Sequence, residues 1–274
     1  MKDLSVGTRQ FVSLVIPLYN QLHYTQQCLE SIVKCTSVPY EIILIDNASQ
    51  DGTQEFVRTV NATVISNDIN MGCARAWNQG VGASRGDFIG ILNNDIVVSE
   101  GWLENLLAFM EGANHGIGSP AAREGQLNYD FDGYAQEFTR CCSKASRPEI
   151  YGACMLIKRS VFDQVGLFDE AFSYGGCEDV DFQWRAEQAG FSVGMTGSVL
   201  IHHFSMVTQD AIKLSESTSY PADNLAHFEK KWNRSVRGNW VQRRWTDMKA
   251  GLCCRIEKLR YGHTLIEKPS CSNI

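Results

Sequence analysis

Three short stretches of the 274-residue chain carry the residue types that could do chemistry. In GDFIGILNNDIVV, residues 86–98, an apolar run ends at Asn93-Asn94-Asp95 and resumes at once. Two amides and a carboxylate at the end of a buried strand must be solvated, hydrogen-bonded or bound to a ligand. Leaving each one dry and unpaired costs roughly 1–3 kcal/mol. In GGCEDVDFQW three carboxylates, Glu178, Asp179 and Asp181, crowd the start of a helical pattern. A carboxylate near a reacting hydroxyl is the usual recipient of its proton. Asp at a helix start is also a favoured cap, and that setting lowers its pKa. In VLIHHF, His202 and His203 are consecutive on a strand. They therefore face opposite sides, and only one can point into a given site.

The elements that must position these groups read as an α/β pattern. Residues 11–18, 40–45, 63–66 and 88–92 are near-continuous apolar strands, alternating with helical spacing over 22–35, 53–60, 73–84 and 102–110. Such strands imply a mostly parallel sheet covered on both faces. Ligands bind beyond the carboxyl ends of such a sheet, and right-handed crossovers bring those ends to one edge. The ends here are Pro17-Leu18-Tyr19-Asn20, Asp46-Asn47-Ala48-Ser49, Asn67-Asp68 and Asn93-Asn94-Asp95. Any one of them alone is commonly a turn or a cap, but four on one rim make a site. No Gly-rich dinucleotide or phosphate-loop motif follows the first strand, which leads into PLYNQ.

Further along, residues 120–149 lose periodicity and read as an irregular lid or substrate loop. Order resumes with a strand over 151–158 and a helix over 160–165. A helix over 179–189 follows, stopped by Gly190, and then one or two strands over 192–204. Beyond Pro221 the chain reads as helical, with Trp232, Trp240 and Trp245 available for packing. The expected division is a catalytic domain over 1–210 and a helical extension over 211–274, packed on or beside it.

Composition narrows the classes. Apolar content of 44 % and charged content of 20 % suit a soluble globular protein. The net charge of −6 is uneven: eight Arg/Lys between Arg234 and Arg260, against Asp247 and Glu257, make that segment +6 and leave about −12 elsewhere. A basic tail on an acidic body points to an anionic partner or membrane surface, or to a solvated helix packed on the core. Nucleic acid is not expected as a partner. The ten cysteines include two adjacent pairs and no C-x-x-C spacing, so free thiols in a reducing cytoplasm are expected. The FVSLVIPLY run is short and carries Pro17, so it reads as a strand and not as a secretory leader, and no run of 18 apolar residues suggests a membrane span.

Seven stretches together carry a resemblance. VSLVIPLYN, EIILIDNASQDGT, NDINMGCARAWNQG, GDFIGILNNDIVV, YGACMLIKRSVFDQVGLFDEAF, GGCEDVDFQWRAEQAG and the histidines of VLIHHF cover roughly residues 11–208. In this order they resemble family 2 glycosyltransferases of the GT-A fold, with rhamnosyltransferase-like members of bacterial polysaccharide synthesis the nearest in look. The resemblance implies transfer of a sugar from a nucleotide-diphosphate donor, UDP- or dTDP-linked, to a glycan or lipid-linked acceptor. It also implies a divalent cation, Mn²⁺ or Mg²⁺, which stabilises a diphosphate leaving group. Asn93-Asn94-Asp95 corresponds to the family's D-x-D motif, with Asn93 in place of the first Asp. Asp95 is then a metal ligand, and His203, by the H-F pattern, a second. Asp179 matches the family's base, and Glu178 a contact to acceptor or donor sugar. Asp181 and Arg185, four apart, read as a supporting ion pair. Pro17 and Tyr19 would flank the nucleobase and Asp46 would accept from base or ribose. Asn70, Gly72 and Asn78 match an N-x-G…N stretch near the diphosphate, and Gly152 lies in the small-residue strand lining the sugar pocket. Trp77 stands where many relatives carry Arg.

A base on the protein and no carboxylate assigned to covalent capture fit a single displacement with inversion. Two alternatives stay open. A catalytically inactive nucleotide-sugar-binding or scaffold protein would explain Asn93. A nucleotidyltransferase would normally show a basic, Gly-rich phosphate loop, and PLYNQ is neither.

Overall fold

The computed structural model describes residues 10–205, 220–234 and 240–268. The first half follows the apolar runs closely. Strands β1 (Val12–Leu18), β2 (Tyr40–Asp46), β3 (Thr63–Ser66) and β4 (Phe88–Leu92) alternate with helices α1 (Leu22–Cys35), α2 (Thr53–Val57) and α3 (Cys73–Ala83). β5 (Ile96–Val98) and α4 (Trp102–Gly112) come next. The second half holds β6 (Ile117–Glu124), α5 (Phe131–Cys142), β7 (Ser146–Arg147), β8 (Cys154–Lys158), α6 (Arg159–Val165), α7 (Glu178–Gln188) and β9 (Val193–His203). The chain closes with α8 (Tyr220–Trp232), α9 (Trp240–Tyr261) and β10 (Ile266–Glu267).

Among the described residues the strands form one sheet in the order β3-β2-β1-β4-β8-β6-β9-β5, with β10 added beside β6 and β7 beside β9. β1 runs parallel to β2 and β4, and β2 parallel to β3. β8 is antiparallel to both β4 and β6, while β9 runs parallel to β6 and antiparallel to β5. The carboxyl ends of β1 to β4, β6 and β9 therefore meet the starts of β8 and β5 along one edge.

Alternation along β1 explains the layers. Leu14, Ile16 and Leu18 pack with α1, α2 and α4 on one face, while Val15 packs with α3, α6 and α7 on the other. A strand flanked by helices on both sides has no polar face, so its sequence is continuously apolar. A third cluster joins Phe131, Ala135, Phe138 and Cys142 of α5 to Met195 and Leu200 of β9.

Residues 120–149 are not the irregular loop that their composition suggests. They contain the end of β6, all of α5 and β7. Pro120 sits where the β6–β9 register shifts, between Pro120 and Ala121, a bulge that accommodates a residue without an N–H. α5 is capped by Asp130, whose carboxylate accepts from the Gly133 N–H at 3.1 Å. Its apolar positions recur at helical spacing but are diluted by five polar or charged neighbours, Asp132, Gln136, Glu137, Thr139 and Arg140. The strand expected over 151–158 begins only at Cys154, and β5 and β10 were not foreseen.

The C-terminal helices are tied into the sheet domain. Phe228 of α8 is buried, and Asn224 holds the loop before α7 through Ser173 and the carbonyls of Gly175 and Gly176. Lys231 and the Trp232 indole both reach Asp181, at 2.8 and 2.9 Å. The expected boundary at 210–211 lies outside the described residues. Among those residues no helix is long and apolar enough to cross a membrane.

Candidate active site

Asp95 and His203 meet because β5 pairs with β9. Ile96 stands opposite His203, which places the preceding Asp95 at the same edge. The Asp95 Oδ1 lies 3.2 Å from His203 Nε2, and both side chains are nearly buried. Asn93 reaches the same ring nitrogen at 3.5 Å. On its other side His203 Nδ1 contacts the Tyr151 hydroxyl at 2.6 Å, and that hydroxyl also lies 2.8 Å from Glu124 Oε1. A hydroxyl has one proton, and an ionised carboxylate only accepts. The Tyr151 proton therefore goes to Glu124, and Nδ1–H donates to the Tyr151 oxygen. In the neutral ring this leaves the Nε2 lone pair facing Asp95 Oδ1. Two facing acceptors need a proton or a cation between them. Ligands side by side on an octahedral cation, each at about 2.0–2.1 Å, stand about 3 Å apart. The pair fits that donor set, imidazole plus carboxylate.

His202 points the other way. Its Nδ1 meets the Tyr129 hydroxyl at 2.9 Å, its Nε2 is buried without a protein partner, and burial pulls its pKa down to about 4. The strand rule thus separates the two histidines, with His203 on the Asp95 side.

The carboxylates of α7 approach from the opposite wall. The first turn of α7 begins after Cys177, a residue in the left-handed region at φ 77°. Glu178 is buried with Oε2 unpartnered, and burial together with the neighbouring Asp179 charge pushes its pKa up to about 8. Asp179 is also raised by burial. This reverses the expectation that a helix start would lower it: loss of solvation outweighs the helix field and the Val180 N–H, which donates at 2.8 Å. Asp181 forms the expected ion pair with Arg185, at 2.9 Å.

Gly152 sets where Asp179 sits. A Cβ built on Gly152 would lie 2.0 Å from Asp179 Oδ2. The backbone of the neighbouring Ala153 accepts from the Asn93 N–H at 2.9 Å, so this segment separates Asp179 from Asn93-Asn94-Asp95 by one strand's width. Cys73 at the start of α3 senses both walls: burial raises its thiol pKa, and the charges of Glu178, Asp179 and Asp95 raise it further.

The nucleotide-side residues divide into two groups. Asp46 is wholly buried; one oxygen accepts from the Ser49 N–H at 3.2 Å and Oδ2 has no protein partner. Pro17 and Tyr19 are partly exposed at the end of β1. Beyond them Asn20, Gln21 and Ala48 all have positive φ, of 55°, 62° and 66°. Non-glycine residues held there mark a rim whose shape is imposed by its surroundings. Asn70 Oδ1 accepts from the Gly72 N–H at 2.9 Å. Gly72 has φ 81°, and a Cβ there would stand 2.8 Å from the Tyr174 nitrogen, so only glycine fits. Asn78 and Asn94, by contrast, are used inside the fold. Asn78 bridges Phe168 and Glu170, and the Asn94 amide donates to Thr25 Oγ1 at 2.9 Å. Trp77 packs on Phe168, with ring centroids 5.0 Å apart.

The family model described as glycosyl transferase family 2 matches residues 13–166. The chain belongs to this family. As a family 2 glycosyltransferase it is 29 % identical over 211 residues to Glycosyltransferase AglE of Haloferax volcanii, covering 72 % of this chain and 68 % of that one. It is 32 % identical over 102 residues to Glycosyltransferase GlyG of Streptococcus pneumoniae, covering 35 % and 34 %. Two solved structures share its fold, GT-A. GalNAc-T7 with UDP, GalNAc and Mn²⁺ superposes with a TM-score of 0.60 at 18 % identity, over 72 % of this chain and 44 % of that one. The mannosyltransferase PcManGT of Pyrobaculum calidifontis with GDP-Man and Mn²⁺ gives 0.57 at 19 %, over 72 % and 57 %.

The family motifs pointed to Asp95, His203 and the α7 carboxylates but not to Tyr151 and Glu124. Tyr151 directly precedes Gly152, and Glu124 ends a strand at the same rim, so both were readable once β6 was recognised as a strand.

Proposed function

We propose that the protein transfers a glycosyl group from a nucleoside-diphosphate sugar to an acceptor hydroxyl by a single inverting displacement. The observation that carries this reading is the approach, across Gly152, of a metal-type pair and the half-buried carboxylate of Asp179. Asp95 and His203 would hold a divalent cation, Mn²⁺ as in both structural neighbours or Mg²⁺. When bound, such a cation supplies charge stabilisation to the departing diphosphate. Asp46 offers a buried, unused oxygen to the base or ribose, Pro17 and Tyr19 offer flanking surface, and Gly72 lets the backbone approach closely. Asp179 accepts the acceptor's proton; its raised pKa makes it a stronger acceptor than a free aspartate. Glu178 stays protonated at neutral pH beside it and can donate a hydrogen bond to a sugar oxygen. The acceptor is a glycan or lipid-linked glycan, consistent with a role in surface polysaccharide synthesis.

Asp179→Asn tests the base. The expected result is loss of transfer with nucleotide binding near that of the wild type. Full transfer by that variant would overturn the assignment.

A further inference from the structure

The outward face of α9 takes no part in the site, and it does not look like a solvated surface. Met248, Leu252, Ile256 and Leu259 are 56, 57, 50 and 89 % exposed. Their spacing of four, four and three places them within roughly 80° of arc on an α-helix, as one stripe. The opposite face is fixed to the sheet. Glu257 is buried, accepts from Arg147 Nε and Nη2 at 2.6 and 2.7 Å, and accepts from the Leu265 N–H at 3.0 Å. α9 cannot roll the stripe inward without breaking this two-pronged pair.

Cations border the stripe. Arg255 and Lys258 lie to one side and Arg260 to the other by helical position, and all three are exposed. The whole helix carries six Arg/Lys against Asp247 and Glu257, and Glu257 is already neutralised by Arg147. An apolar stripe between basic flanks, on a helix anchored by its other face, matches an anionic lipid surface. A second copy of α9 would bring like charges together, which disfavours self-association through this face.

We propose that α9 docks by its Met248–Leu252–Ile256–Leu259 stripe on an anionic bilayer. The same helix lines a cleft of about 840 Å³ with Cys254 and Lys258, facing Arg123, Arg147 and Lys268. Glu124, the residue that accepts from Tyr151, lies in the wall of that cleft. Docking thus holds this cleft, lined by Arg123, Lys258 and Lys268 but also by Glu124 and Glu267, at the membrane surface beside the active site. The docking does not rest on the transferase reading.

The test is sedimentation of the full chain with phosphatidylcholine vesicles, with and without about 30 % phosphatidylglycerol, at low and high salt. The wild type should pellet with the anionic vesicles at low salt and much less with neutral ones. The double variant Leu252→Glu, Ile256→Glu should lose at least tenfold in binding while keeping the wild-type melting temperature and nucleotide-induced shift. Equal pelleting of variant and wild type, or no pelleting of the wild type, overturns the proposal. A dimer that the double variant dissociates, without vesicle binding, overturns it in favour of a second copy. Failure of the transferase reading shows separately, as no nucleotide-induced shift in either protein.

Discussion

Glu178→Gln should stabilise the protein, and more so at higher pH. Glu178 is 5 % exposed, its Oε2 has no partner, and its pKa stands near 8 against an ordinary 4.5. Between those values the folded protein keeps a proton that the unfolded chain has released. Stability therefore falls as pH rises through this window, by at most about 1.4 kcal/mol per unit. Below about pH 4.5 the two states bind the same proton at this position and the penalty vanishes. Glutamine keeps the shape and removes the titration. Urea unfolding with EDTA at pH 5, 6, 7 and 8 reads the effect directly. The variant should be close to the wild type at pH 5 and more stable by a few kcal/mol at pH 8. Stability curves that run parallel across this range would refute the burial argument.

Two further outcomes follow from the same geometry. Gly152→Ala drives a methyl group into the space of Asp179 Oδ2, 2.0 Å away, so nucleotide binding should hold while transfer falls by about a hundredfold, the cost of an ångström-scale misplacement; undiminished turnover would show that Asp179 need not sit there. Tyr151→Phe removes the hydroxyl that fixes the His203 tautomer, so Mn²⁺ affinity read by electron paramagnetic resonance should fall about 10- to 100-fold. An unchanged Mn²⁺ affinity would remove Tyr151 from the metal's surroundings.

What the sequence disclosed, and what it hid, has a physical pattern. The bounds of α1, β3 and β4 are those read from the residues, because apolar periodicity decides both element and extent there. α5 was obscured because its four buried residues, Phe131, Ala135, Phe138 and Cys142, are separated by polar neighbours, and because Pro120 suggests a break where a bulge accommodates it. Asp95, His203 and Asp179 were singled out by motif, and the fold brings the first two to 3.2 Å of each other and sets Asp179 against Gly152. Asn78 and Asn94 illustrate the opposite case. An amide has the same chemistry whether Thr25 or a ligand satisfies it, so only the fold shows that Asn94 turns inward. The direction of the Asp179 shift was hidden for a similar reason. A helix start is visible in sequence, but the burial that outweighs it comes from packing across Gly152.

The cation site is tested most directly by thermal unfolding with UDP, dTDP or GDP, each with Mn²⁺ or with EDTA, in the wild type and in Asp95→Asn. A ligand at 100 times its Kd adds about 2.7 kcal/mol, which raises the melting temperature by about 5–10 °C for a chain of this size. A cation held by Asp95 and His203 gives such a shift with one nucleotide and Mn²⁺, abolished by EDTA and absent in Asp95→Asn. A shift of equal size in EDTA, or none with any nucleotide, would contradict the claim that Asp95 and His203 hold a cation for a nucleoside diphosphate.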